Sequence, residues 1–121
     1  MTLQKLKPDF TVCKIADVAH VGFTREFVFL GKTDEEISLV CETSHVPANA
    51  TEAESGWRAL RVSGVLDFGL IGIIAKISNI LAQAGISVFV VSTYNTDYIL
   101  LKNESFDEGI TALVEGGYTI E

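Results

Sequence analysis

Two short segments in the second half of the chain carry residue types that could bind a small charged molecule. The first, Asp67–Gly72, lies between an apolar alternation and a run with helical spacing, and it contains two glycines. The second, Ser92–Asp97, places hydroxyls, an amide and a carboxylate between two apolar runs. Neither segment belongs to a nucleophile or acid–base motif, so we expect binding rather than catalysis.

The glycines at 69 and 72 suit a tight turn from a strand into a helix. They also let a ligand approach the backbone N–H groups closely. The first N–H groups of a helix have no partner within it and lie at the positive end of its dipole, which favours a carboxylate or a phosphate. A phosphate loop would add a Lys-Ser/Thr pair or a third glycine, so a small carboxylate is the better match. The alternative is that both glycines only permit the turn and close packing.

The second segment could supply the opposite charge. The carboxylate of Asp97 can accept hydrogen bonds from an ammonium or a guanidinium group. Asn and Asp are also common in hairpin turns for conformational reasons, and this alternative stays open. Together, a helix start that favours anions and a turn that carries a carboxylate match the two ends of an amino acid.

Other site chemistries fit less well. Asp67-Phe68-Gly69 is also the metal-binding tripeptide of protein kinases, but 121 residues are too few for a kinase, and its other motifs are missing. The two cysteines and two histidines could form a ligand set, but their spacing matches no common zinc template. Cys13 and Cys41 lie in apolar runs, which predicts small buried side chains. We therefore expect no metal and no cofactor.

The charge and hydropathy of the chain exclude two classes of partner. Its 16 acidic and 9 basic residues give a net charge of −7, which would repel a nucleic acid backbone. No apolar run approaches the roughly 18 residues of a membrane span. The amino terminus shows no apolar signal-peptide region, so we expect a cytoplasmic protein.

The second half predicts the order βαββαβ, the ferredoxin-like α+β plan. The expected elements are a strand at 58–66, a helix at 70–84, a hairpin of strands 86–91 and 98–102, a helix capped by Ser105 and Glu108, and a short strand at 118–120.

The first half is less regular. We expect a strand at 10–15 and a hairpin of strands 27–30 and 37–42. The 11 residues between the first two strands are too few for a full crossover helix. Residues 43–56 could carry one or two helical turns but are mainly typical of a linker. The two hairpins align at an offset of 61, which is weak evidence for a repeat.

Several motifs occur together in an order that resembles the ACT domain. They are GWRALRV, the LDFGLIG loop, AGISVFVVSTYNTDYILLK, and the hairpin GKTDEEISLVCE with the following Val46-Pro47. The resemblance is to small tandem-ACT proteins related to the regulatory ACT segments of aspartate kinase and to cytosolic arginine sensors. It implies a reduced ACT-like unit at 1–55 and an ACT domain at 56–121, with antiparallel sheets side by side and helices on one face.

The same resemblance implies a function and a set of site residues. ACT domains commonly bind amino acids between units, so we expect a non-enzymatic regulatory module that senses an amino acid and forms a homodimer. The alternative is a ligand-free ACT-fold interaction protein. The backbone N–H groups near Leu70–Gly72 would bind the ligand carboxylate, and Asp97 its ammonium or basic side chain. The implied ligand-binding residues are Asp67, Phe68, Gly69, Leu70, Ile71, Gly72, Val91, Ser92, Thr93, Tyr94, Asn95 and Asp97.

Overall fold

A computed structural model describes all residues, Met1–Glu121, and they form two compact units. The large unit contains Met1–Lys7 and Arg58–Glu121, and the small unit contains Pro8–Trp57. The elements in chain order are β1 (Thr2–Lys5), β2 (Phe10–Ile15), β3 (Val28–Lys32), β4 (Ile37–Glu42), β5 (Ala50–Val62), α1 (Ile73–Gln83), β6 (Phe89–Ser92), β7 (Asp97–Lys102), α2 (Phe106–Glu115) and β8 (Thr119–Ile120). Neither α-helix has the length and apolar character needed to span a bilayer.

The large unit has the predicted βαββαβ order, from β5 through α1, β6, β7 and α2 to β8. Its strands lie in the order β6-β7-β5-β1-β8, with β1 antiparallel to β5 and parallel to β8. The sequence analysis missed β1, because Thr2–Lys5 carries a single apolar residue, the fully buried Leu3. Through this strand, Met1–Lys7 packs with the large unit. The resemblance instead places these residues in the reduced unit at 1–55.

Both helices of the large unit pack against its sheet. Ile77 and Leu81 of α1 are four residues apart and therefore share one helix face, as the spacing predicts. Phe106 and Leu113 are the buried apolar residues of α2. These side chains form one core cluster with apolar residues of the strands: Leu3, Leu60, Val62, Ile99 and Leu101.

Three boundaries in the large unit differ from the sequence expectations by three or four residues. β5 ends at Val62 rather than at 66, α1 begins at Ile73 rather than at 70, and β6 begins at Phe89 rather than at 86. In each case the apolar residues that suggested a longer strand or helix continue into a loop.

The predicted capping box at the start of α2 is wrong. A capping Ser needs an extended backbone, but Ser105 has φ −106° and ψ 0° and makes no capping hydrogen bond through its side chain. The reason is that a single turn of 3-10 helix, Asn103–Ser105, leads directly into the helix.

The small unit is a four-stranded antiparallel sheet in the order β3-β4-β2-β5, with β5 contributing its first residues. Residues 16–27 contain no helix, as their number predicts. One apolar cluster contains Cys13, Ile15, Leu39 and Cys41. The prediction that both cysteines are buried is confirmed.

The prediction of a linker over 43–56 is wrong. After a 3-10 turn at Thr43–His45, β5 begins at Ala50 and pairs with β2, so that Ala53 lies opposite Cys13. Most side chains of this part of β5 are exposed. Backbone pairing therefore holds a segment whose composition gives no apolar signal.

The β3–β4 and β6–β7 hairpins have matching turns. Thr33 N–H donates to the Glu36 carbonyl at 2.9 Å, and Thr93 N–H donates to the Thr96 carbonyl at 2.8 Å. The corresponding residues are 60 apart, so the sequence offset of 61 was wrong by one.

Candidate functional site

A cavity of about 390 Å³ lies in the large unit, where the loop after β5 and the start of α1 meet the β6–β7 turn. Nine of the twelve predicted ligand-binding residues line it: Asp67, Phe68, Leu70, Gly72, Ser92, Thr93, Tyr94, Asn95 and Asp97. Five lining residues were not predicted: Leu66, Ile73, Ile74, Ala75 and Thr96. Both segments belong to the large unit, because they are adjacent parts of the same βαββαβ plan. The cavity therefore lies within one unit, whereas the resemblance implies a site between units.

The other three predicted residues lie outside this lining. Gly69 is in the loop, and its N–H donates to the Asp67 carboxylate at 2.6 Å. Ile71 is 95% exposed and lines a smaller neighbouring cavity of about 190 Å³. Val91 lies within β6 and pairs with Tyr98 of β7.

Two hydrogen bonds join the walls of the cavity. Leu66 N–H donates to the Asn95 carbonyl at 2.7 Å. The Thr96 hydroxyl donates to the Val62 carbonyl at 2.7 Å, and both groups are buried. Because buried hydrogen bonds resist exchange with water, the end of β5 and the tip of the β6–β7 turn are held together.

Backbone donors at the start of α1 belong to residues that line the cavity. Gly69 and Leu70 already donate to Asp67, which removes part of the donor set that we expected near Leu70–Gly72. The first hydrogen bond of the helix is from Lys76 N–H to the Gly72 carbonyl, so the N–H groups of Ile73–Ala75 precede it. No side chain caps this end, and these three residues line the cavity.

Gly72 sets the direction of the helix start. It is the N-cap residue of α1 and has φ +79°, a left-handed conformation that other residues rarely adopt. A Cβ built at this position would have no atom within 4 Å. The glycine is therefore required for its backbone angle rather than for space.

The lining charges are of one sign. Asp67 and Asp97 are the only ionisable carboxylates of the lining, which contains no Lys, Arg or His. At the mouth the rings of Phe68 and Tyr94 are edge-to-face, with centroids 5.0 Å apart and planes at 89°. These rings are 75% and 80% exposed, so apolar and π surface is available beside the carboxylates.

This arrangement has groups suited to binding a small charged molecule. Backbone donors at the helix start can hold a carboxylate, and an aspartate can hold an ammonium group. The lining contains no Cys or His.

The cysteine and histidine set gives no metal centre. No three His, Cys, Asp or Glu side chains lie close enough to hold an ion. Burial raises the pKa of the Cys13 thiol. Burial, followed by the neighbouring Cys13 and Glu42, raises the pKa of Cys41 from 9.0 to about 11. Both thiols therefore stay protonated at neutral pH, and a protonated thiol is a poor ligand.

Comparison with known proteins identifies the family. Residues 52–115, more than half of the chain, match the sequence model of the ACT domain. No curated protein sequence matches the chain. Protein Atu0741 from Agobacterium tumefaciens has the same fold, with 25% identity and a TM-score of 0.87 over 99% of this chain and 91% of that one.

Aspartate kinases provide further structural neighbours. The regulatory subunit of aspartate kinase from Thermus thermophilus, in its ligand-free form, has 8% identity and a TM-score of 0.65, over 93% of this chain and 95% of that one. Aspartate kinase from Clostridium acetobutylicum, an allosteric enzyme, has 16% identity and a TM-score of 0.63, over 88% of this chain but 32% of the enzyme. These neighbours share the fold of the chain, and the match over residues 52–115 shows that the chain belongs to the ACT domain family.

Proposed function

We propose that the protein is a non-enzymatic, cytoplasmic regulatory module that binds an amino acid in the cavity between the α1 start and the β6–β7 turn. The observation that carries the proposal is that one cavity is lined both by Ile73–Ala75, whose N–H groups precede the first hydrogen bond of α1, and by Asp97. The family and its aspartate kinase neighbours supply the regulatory context.

The ligand has a defined orientation in this proposal. Its carboxylate accepts hydrogen bonds from the N–H groups of Ile73–Ala75, and its ammonium group lies against Asp97. Its side chain extends toward Asp67 and the Phe68–Tyr94 pair. Because the lining has two carboxylates and no cationic side chain, neutral and basic amino acids should bind better than aspartate or glutamate.

Regulation requires that the ligand bind one arrangement of the protein better than another. We propose that the protein acts as a homodimer, because its sheets end in strands with an unpaired edge, β6 in the large unit and β3 in the small unit. We also propose that the small unit is a reduced ACT-like unit.

A second candidate function is that of a ligand-free interaction protein. It is favoured by the exposure of apolar side chains around the cavity mouth, where Phe68 is 75%, Ile71 95% and Tyr94 80% exposed. Exposed apolar patches often mark protein interfaces.

Thermal unfolding in the presence of each common amino acid distinguishes the two functions. A ligand at 100 times its Kd stabilises the folded state by about 2.7 kcal/mol, which raises Tm by several degrees for a chain of this size. We expect such a rise with at least one neutral or basic amino acid and none with aspartate or glutamate. A panel without any rise would favour the interaction protein.

A further inference from the structure

Charge is distributed very unequally between the two units. The small unit, Pro8–Trp57, has nine carboxylate side chains and three cationic ones, a formal charge of −6. The large unit has seven carboxylates and six cationic side chains, a formal charge of −1. Like charge alone would keep two small units apart, so a contact between copies is favoured where a small unit meets the cationic part of a large unit.

The large unit has a cleft of about 330 Å³ that gathers three of its six cationic side chains, Lys5, Lys7 and Arg58. Lys5 and Lys7 are exposed, and neither forms a salt bridge. The Arg58 guanidinium lies over the Phe106 ring at 4.5 Å and donates to the Leu6 carbonyl at 3.4 Å, so it is held at the cleft wall. The cleft also contains the side-chain carboxylates of Asp107 and Glu121, so its cationic side chains outnumber its anionic ones by three to two.

The small unit presents a matching acidic turn. Asp34, Glu35 and Glu36 are consecutive and exposed at the tip of the β3–β4 hairpin. The Thr33 hydroxyl accepts hydrogen bonds from the N–H groups of Glu35 and Glu36, at 3.1 and 3.2 Å, which fixes the backbone of the turn. The Asp34 and Glu35 carboxylates form no salt bridge within the chain.

We propose that the Lys5–Lys7–Arg58 cleft of one copy binds the Asp34–Glu36 turn of a second copy. Three carboxylates on a fixed turn then face three cationic side chains, and the contact pairs the acidic unit with the region where cationic side chains concentrate. This inference rests on the self-association proposed above, and it does not depend on amino acid binding. Complementary charges of this kind set partner choice and make association sensitive to salt.

The test is sedimentation equilibrium of the full chain with charge reversals on each side. The cleft variant is Lys5→Glu/Lys7→Glu, the turn variant is Asp34→Lys/Glu35→Lys, and a third protein combines all four substitutions. We expect each single-side variant to raise the dimer Kd about tenfold or more, because the loss of a single close charge pair has an effect of at least this size. The combined variant should return to within about threefold of the original chain. The control for the cleft variant, Arg25→Glu/Lys76→Glu, makes the same change in net charge at exposed positions outside both surfaces.

Each outcome decides a specific point. Rescue in the combined variant supports the pairing. A dimer that is unaffected by either reversal, or that both reversals weaken without rescue, overturns the pairing and leaves the dimer proposal intact. A monomeric original chain overturns both. Circular dichroism of each variant confirms that a loss of association is not a loss of folding.

Discussion

The hydroxyl of Thr96 donates a 2.7 Å hydrogen bond to the carbonyl oxygen of Val62, and both residues are buried. Val62 is the last residue of β5, and Thr96 immediately precedes β7. Together with the Leu66–Asn95 hydrogen bond, this contact holds the hairpin tip beside the loop that leads to α1.

Thr96→Val should lower the free energy of unfolding by about 1–3 kcal/mol, because the Val62 carbonyl would stay buried without its donor. Chemical denaturation measures this loss. Thr96→Ser is the control, since it keeps the hydroxyl and should retain most of the stability. Equal stability of the Val and Ser variants would contradict the role given to this hydrogen bond.

Asp97→Asn should weaken binding of the amino acid that stabilises the protein in the thermal panel. The substitution keeps the shape of the side chain but removes the charge opposite the ligand ammonium. A hydrogen bond to a charged group contributes roughly 1.5–3 kcal/mol, so the Kd in titration calorimetry should rise roughly ten- to a hundredfold. Glu104→Gln, which neutralises an exposed carboxylate outside both the cavity and the cationic cleft, should leave the Kd unchanged. If both variants bind as the original chain does, Asp97 does not hold the ammonium group.

Gly72→Ala should destabilise the fold by roughly 1–2 kcal/mol, because an L-residue is strained in the left-handed conformation at this position. Gly31→Ala is a matched control. A Cβ at either glycine meets no atom within 4 Å, but only Gly72 has a positive φ. A similar change in Tm for the two variants would show that the backbone angle of Gly72 has no energetic weight.

Stability should fall in alkaline solution as Cys41 titrates. Its thiol has a pKa of about 11 in the folded protein and 9.0 as its ordinary value, so the folded state retains the proton more strongly. The stabilisation is fully present below pH 9 and is lost as the pH rises toward 11, by an amount on the order of 2 kcal/mol. Urea denaturation between pH 8 and 11 should therefore show a steeper decline for the original chain than for Cys41→Ala. Parallel curves would mean that Cys41 does not contribute to the decline.

The sequence predicted the large unit well because its elements have strong periodic signals. The pair Ile77 and Leu81 places one face of α1 on the sheet, and the turn residues at 92–97 separate two apolar runs. β1 and the first part of β5 were missed for a common reason. Their pairing is through backbone groups, and their side chains are mostly polar or exposed, so neither has an alternation to detect.

The sequence predicted most of the residues that line the candidate site, but it did not predict which backbone N–H groups are available to a ligand there. The sequence identified the two segments but extended the helix over Leu70 and Ile71, which lie in the loop. The Gly69 and Leu70 N–H groups donate to Asp67 and so form a turn within the loop. No sequence pattern predicted this turn. Once the helix start is placed at Ile73, the available donors move to Ile73–Ala75.

The most direct test of amino acid binding at this site is a titration of ¹⁵N-labelled protein followed by nuclear magnetic resonance. The amino acid that raises Tm is added, and the backbone amide resonances are monitored. We expect the largest shifts at the amides of Ile73, Ile74 and Ala75, with a second set at Asn95–Asp97. The hairpin turn at Thr33–Glu36, which has the same geometry in the small unit, should stay unchanged. Saturable shifts confined to the small unit, or no shifts with any amino acid, would contradict the proposal.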